Sequence, residues 1–176
     1  MKKVLSIVIA LFLCNMAVFS QDAENGKPEA ANEVKLNLLM TVLKVPEITY
    51  ERIFPSNLGV GLSAAVALDN DVFDFNYLIT PYTRFYFGSR FARGFFIEAN
   101  MAFMEIKEEY YSYGGYGGDY YGYYKNNFVF GLGFALGGKF VNKNGFVGEF
   151  FFGCGNSFDS NDHIYPRMGV SIGKQF

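Results

Sequence analysis

From Glu33 onward, apolar side chains recur at every second position, the period of a strand with one apolar face. The first run places Val34, Leu36, Leu38, Met40 and Val42 on one face, with Lys35, Asn37 and Thr41 on the other. After a turn at Lys44-Val45-Pro46, a second run sets Ile48, Tyr50 and Arg52 against Glu47, Thr49 and Glu51. Pro55-Ser56-Asn57 predicts a tight turn. In the third run Leu58, Val60, Leu62, Ala64, Val66 and Leu68 alternate with glycine, serine and alanine. The fourth opposes Tyr77, Ile79, Pro81, Thr83, Phe85 and Phe87 to Leu78, Thr80, Tyr82, Arg84 and Tyr86; Pro81 predicts a bulge or local irregularity. The fifth opposes Phe95, Ile97, Ala99, Met101 and Phe103 to Phe96, Glu98, Asn100 and Ala102. A loop is expected from Lys107 to Asn126. The sixth run alternates Phe128, Phe130, Leu132, Phe134 and Leu136 with Val129, Gly131, Gly133, Ala135 and Gly137. Asn142-Lys143-Asn144-Gly145 carries the Asn-Gly hairpin signal. The seventh sets Phe146, Phe150 and Phe152 against Val147, Glu149 and Phe151. After a polar loop, Asn156 to Asp162, the last sets Met168, Val170, Ile172 and Phe176 against Arg167, Gly169, Ser171, Gly173 and Gln175.

Eight such runs, at about 19 residues per strand and connection, predict an all-β fold. The expected architecture is an eight-stranded antiparallel up-and-down transmembrane β-barrel spanning 33–176. Alternation alone does not say which face is outside. A water-exposed face would carry many Lys, Glu and Thr, whereas the minority face here is mostly Gly, Ala and Ser with isolated charges. Small residues suit the narrow interior of an eight-stranded barrel, and the Phe- and Leu-rich face suits lipid. The inner charges nearly balance: Lys35, Arg84 and Arg167 against Glu47, Glu51, Glu98 and Glu149. Buried charges must pair, so a salt-bridged plug centred on Arg84, Arg167, Glu98 and Glu149 is expected. The plain alternative leaves some of them hydrated at the rims. An even strand number puts both termini on one side, the periplasmic one. Residues 55–57, 88–93 and 142–145 then become periplasmic turns, and 69–75, 106–126 and 156–163 the longer extracellular loops.

Composition agrees. The chain has 176 residues, 51% hydrophobic and 19% aromatic, with 20 Gly and no Trp. Charged residues reach only 18%, and the net charge is slightly negative. These values exclude a disordered chain and a nucleic-acid binder, and argue against a helical bundle. Met1-Lys2-Lys3, the apolar stretch Val4 to Leu13, and Ser20 two places after Val18 read as a signal peptide over 1–20, cut before Gln21. Residues 21–32, polar and containing Pro28, read as a flexible periplasmic leader. Removal of Lys2 and Lys3 leaves 13 basic residues against 17 acidic ones. Leu11-Phe12-Leu13-Cys14 only loosely matches a lipidation box, because Leu13 is bulky. Cys154 is then alone and reads as a small apolar filler at a strand end. No stretch of the mature chain reaches the length of a membrane-spanning helix, so membrane entry requires a closed barrel.

Signal peptide, eight alternating strands and terminal Phe176 together resemble the small outer-membrane β-barrels of Gram-negative bacteria, of the OmpA/OmpX type. The segments Lys-Leu-Asn-Leu-Leu and Pro-Glu-Ile-Thr-Tyr-Glu-Arg within Glu33 to Leu68, and Ile79-Thr80-Pro81-Tyr82, are similar to a family of such barrels without an assigned function. The resemblance implies outer-membrane lipid and lipopolysaccharide as surroundings. It also implies recognition by the barrel-assembly machinery through Phe176 with Ile172 and Val170. It brings no catalytic motif. Lys174 occupies a position usually apolar in such barrels, and with no Trp the aromatic girdles fall to residues such as Phe87, Phe95, Phe103 and Phe128.

Few residues carry chemistry. The stretch Glu109 to Asn127 holds Tyr110, Tyr111, Tyr113, Tyr116, Tyr120, Tyr121, Tyr123 and Tyr124 among glycines. Tyr-Gly loops make adaptable contact surfaces, so this one is a candidate site for an extracellular glycan or protein. The bland reading is a low-complexity loop packed over the barrel mouth, or a hairpin extended above the membrane. His163 with Asp162, Ser157 and Ser160 is the nearest thing to a hydrolase constellation, and no nucleophile motif surrounds either Ser. Asp69, Asp71 and Asp74 lack the later Gly and Glu of a calcium loop. No cofactor is expected. The reading is a non-enzymatic barrel of the outer membrane, structural or surface-interacting. The alternatives are a secreted soluble barrel binding an apolar ligand and a small outer-membrane hydrolase.

Overall fold

The computed structural model describes residues 31–69, 75–87, 93–113, 120–158 and 164–176, with backbone alone over 107–113 and 120–125. The first strand, β1 (Ala31–Asn37), runs into a short helix, α1 (Leu38–Val42). The other strands are β2 (Glu47–Phe54), β3 (Leu58–Val66), β4 (Phe75–Tyr86), β5 (Gly94–Tyr113), β6 (Tyr120–Val141), β7 (Phe146–Ser157) and β8 (Ile164–Gln175). They pair in chain order, all antiparallel, and β1 pairs with β8 to close the barrel. The expected eight-stranded up-and-down barrel is the fold of this chain. The expected signal peptide, 1–20, and the part of the expected leader before Ala31 lie outside the described residues; β1 begins slightly ahead of the boundary expected at Glu33.

Burial follows the alternation. Along β3, Gly59, Gly61, Ser63 and Ala65 are buried while Leu58, Leu62 and Val66 are exposed. The turns at one end obey their local chemistry. Asn57 adopts φ 60° after Pro55-Ser56. Gly145 adopts φ 76°, and Asn142 Oδ1 accepts from both the Asn144 and Phe146 amides at 2.9 Å. We call this the turn end, and the opposite one the loop end.

Two expectations need correction and a third holds in one of its two forms. The first run is not one strand: Leu38 to Val42 is α1. Asn37 caps it, its side chain accepting the Met40 amide at 3.3 Å, and Thr41 Oγ1 donates back to the Asn37 carbonyl at 2.6 Å. Next, the bulge lies between Phe75 and Tyr77 and not at Pro81. At Pro81 the expected irregularity takes its other form: the β4–β5 register is kept, but the pairing skips from Ile79↔Phe103 to Tyr82↔Asn100 because proline offers no ladder donor. Finally, the stretch Lys107 to Asn126 is mostly not loop. β5 and β6 stay paired through Tyr110↔Tyr123 to Tyr113↔Tyr120, as a run of β-favouring tyrosines allows.

Candidate functional site in the barrel interior

The inward face carries nine buried charged side chains among the described residues: Glu33, Lys35, Glu47, Glu51, Arg84, Glu98, Lys139, Glu149 and Arg167. Strand geometry puts them there, because the pleat sends every second residue of each strand to the same side. At the turn end Lys139 Nζ lies 3.1 Å from Glu33 and 4.1 Å from the Tyr86 ring centroid. Lys35 Nζ lies 2.5 Å from Glu51, 2.8 Å from Glu149 and 3.5 Å from Glu33. Arg84 bridges three carboxylates, at 2.7 Å to Glu98, 2.9 Å to Glu149 and 3.3 Å to Glu51. Arg167 shares Glu98 at 2.8 Å and reaches Glu47 at 2.6 Å. All seven predicted network residues thus meet in one connected set.

Sequence reasoning missed Glu33 and Lys139, although each lies one alternation beyond a residue already placed inside, Lys35 and Gly137 respectively. It also undervalued the aromatic part of the interior. Arg84 Cζ stands 4.3 Å from the Phe96 centroid and 4.5 Å from that of Tyr82; Arg167 Cζ stands 4.8 Å from Phe151. Tyr86 donates to Glu51 at 2.5 Å and Tyr82 to the same carboxylate at 3.2 Å. These rings fit because glycines face them. A Cβ on Gly61 would lie 2.5 Å from Tyr82 Oη, and one on Gly137 would lie 2.5 Å from Phe96 Cζ. The interior is therefore filled by alternating large rings and bare backbone, not uniformly lined by small residues.

Toward the loop end the filling turns apolar. Met40, Val45, Phe75, Leu78, Met104 and Ile106 belong to one buried cluster. Tyr165 joins the two layers, its ring in that cluster and its hydroxyl donating to Asn100 Oδ1 at 2.8 Å. Chemically, each carboxylate faces a cation or a hydrogen-bond donor, an arrangement that fills space and fixes strands rather than activating a nucleophile.

The outward face is the opposite. Phe85, Phe87 and Phe95 form one ring cluster at the turn end, with centroids 5.0 and 5.7 Å apart. Phe103, Phe128, Phe130 and Phe158 form another at the loop end, with centroids 5.4 to 6.3 Å apart. Lys174 points outward beside Phe146 and donates to the Asn144 carbonyl, returning its charge to the turn. Val170, Ile172 and Phe176 are exposed on the same face, and Phe176 exchanges two backbone hydrogen bonds of 2.9 Å with Asn32. Cys154 is also exposed outward, near the end of β7 and opposite Phe134 and Pro166.

The remaining candidates are separated. Of the tyrosines, Tyr110, Tyr111, Tyr113, Tyr120, Tyr121, Tyr123 and Tyr124 fall on the β5–β6 ribbon, and Tyr116 lies outside the described residues. Ser157 is buried at the end of β7, whereas Ser160, Asp162 and His163 lie outside the described residues. Asp69 pairs with Lys44; Asp71 and Asp74 lie outside. Among the described residues, no group of His, Cys, Asp and Glu is placed to hold a metal ion.

No family model and no curated protein matches this chain. Among solved structures, the crystal structure of the N-terminal β-barrel domain of Pseudomonas aeruginosa OprF is similar at a TM-score of 0.53 and 12% identity. The match covers 84% of this chain and 96% of that one, and likeness at that identity establishes a shared barrel fold.

Proposed function

We propose that this chain is an integral outer-membrane β-barrel with a closed lumen, non-enzymatic, that presents the Tyr-Gly ribbon to an extracellular glycan or protein. One observation carries the reading: charge is sealed inside and phenylalanine faces out. Arg84 is 1% exposed, while Phe134 and Phe152 are 58% and 65% exposed. A water-soluble barrel requires the reverse, since exposed apolar surface of this extent has no favourable contact in water. The two phenylalanine belts fit the same reading. Phe95 and Phe103 are eight residues apart on β5. At about 3.3 Å per residue and a tilt near 40°, that spans roughly 20 Å, close to the apolar band of such barrels. The outer membrane is the compartment in which closed antiparallel barrels of this kind reside, and the C-terminal residues named above are the proposed assembly signal.

Fractionation tests it. The chain should extract from outer membranes only with detergent and should migrate differently on gels before and after heating; recovery in the soluble fraction overturns the reading. Deleting Gly114 to Tyr121 should reduce adhesion to glycan- or cell-coated surfaces and leave the heat-dependent shift unchanged. Undiminished adhesion removes the binding role and keeps the barrel.

A further inference from the structure

The wall of the barrel is not built alike all round. β1 and β8 share their ladder only from Glu33↔Gln175 to Asn37↔Ser171. Beyond that point β8 has β7 on one side and α1 on the other. Asn32 and Phe176 exchange both backbone hydrogen bonds, so the even-numbered residues of β8 turn their N–H and C=O groups toward β1. Where β1 gives way to α1, the Asn37 side chain takes over. Its Nδ2 donates to the Met168 carbonyl at 3.1 Å, and its Oδ1 accepts the Val170 amide at 3.3 Å. The next residue of that edge is Pro166, which has no N–H to leave unpaired.

The same amide fastens the neighbouring elements. Nδ2 also donates to Glu47 Oε2 on β2 at 2.7 Å, and Oδ1 caps α1. Gly169 leaves room for it, since a Cβ there would sit 2.5 Å from Nδ2. A side chain, not a ladder, therefore holds this part of the wall. Both sides of it are apolar. Val42 on α1 is 81% exposed, and Ile48 on β2 and Ile164 on β8 are exposed as well. Met40, two residues earlier, is 5% exposed and belongs to the loop-end cluster with Met104 and Ile106. The charge network lies beneath that cluster as a floor, joined to it at Tyr165.

We propose that α1 is a lateral port: the acyl chain of a membrane lipid passes between α1 and β8 and takes the place of the Met40 side chain in the apolar interior. The inference rests on the membrane reading above. Met40 suits the part of displaceable plug, being unbranched and flexible. Asn37 is the latch, and its partner Glu47 is held in turn by Arg167 at 2.6 Å, which ties the latch to the charge network.

Solution NMR decides the matter, with methyl-labelled Ile and Met in micelles of dodecylphosphocholine whose chains remain protonated. Chain methylenes should give cross-relaxation to Ile48 on the outward face and also to the buried methyls of Met104 and Ile106. The buried signals should rise at least twofold in Asn37→Ala. If that variant loses its heat-dependent gel shift, Met40→Ala serves in its place. A strong Ile48 signal with Met104 and Ile106 silent in wild type and variant alike overturns the port alone. Silence at Ile48 as well overturns the membrane reading, and the port with it.

Discussion

Arg84 shows what a single residue does in this interior. Its guanidinium is buried, with three carboxylates within 3.3 Å and two aromatic faces within 4.5 Å. Removing the charge leaves Lys35 alone to balance Glu51 and Glu149, and Arg167 to balance Glu98 and Glu47. Arg84→Met should therefore cost about 3 kcal/mol, the lower end of the penalty for breaking a buried ionic pair. Thermal unfolding in detergent reads it, and an unchanged Tm removes the network as a source of stability. Glycines give a paired test. Gly61 faces Tyr82 closely, whereas a Cβ on Gly148 meets nothing within 4 Å. Gly61→Ala should cost about 1–3 kcal/mol by overpacking, and Gly148→Ala should stay within about 0.5 kcal/mol of wild type. At this scale the sequence was legible for charge and poorly legible for size. Alternation assigns Glu98 and Glu149 to the inner face from parity alone. It says nothing of whether Tyr82 and Phe96 fit there, because their sockets, Gly61 and Gly137, come from neighbouring strands.

Among the elements, α1 departs furthest from the pattern. Leu38, Met40 and Val42 continue the period of two without a break, so periodicity cannot reveal the helix. The signal lay in Asn37, a residue type that caps helices, and its side chain makes bonds that no one-dimensional pattern encodes. Asn37→Ala should cost about 1–3 kcal/mol, because Met168, Val170 and Glu47 each lose a buried partner. Hydrogen exchange should show α1 amides exchanging well before those of β3, which is laddered on both sides; equal protection contradicts the side-chain seam. The Tyr-Gly stretch was misjudged in the other direction. Its tyrosines and glycines alternate irregularly enough to suggest loop, yet the β5–β6 ladder runs beyond the last β4 rung, Phe75↔Ile106. Deleting 114–121 should accordingly leave barrel stability unchanged in thermal unfolding.

The whole molecule inverts the usual arrangement of a water-soluble protein, and the sequence announced this through which residues accompany the alternation, not through the alternation itself. If the lumen is closed as proposed, it should pass no ions. Planar bilayers holding the purified chain should show no conductance steps, and regular steps would argue against a plugged interior. The closing rungs add a kinetic consequence. Gln175 reaches Glu33 across 142 residues, and Lys35 reaches Glu149 across 114. Nearly the whole chain must be in place before these ends meet, so contact order is dominated by the last event. Until then Glu33 lacks Lys139 and Gln175, and Lys35 lacks Glu149, so an unclosed sheet carries charges that are only partly paired. Such a sheet cannot rest in hydrocarbon. On the proposed membrane reading, entry into the bilayer and joining of the first strand to the last must therefore happen together, which makes assembly an all-or-none step with no stable half-inserted form.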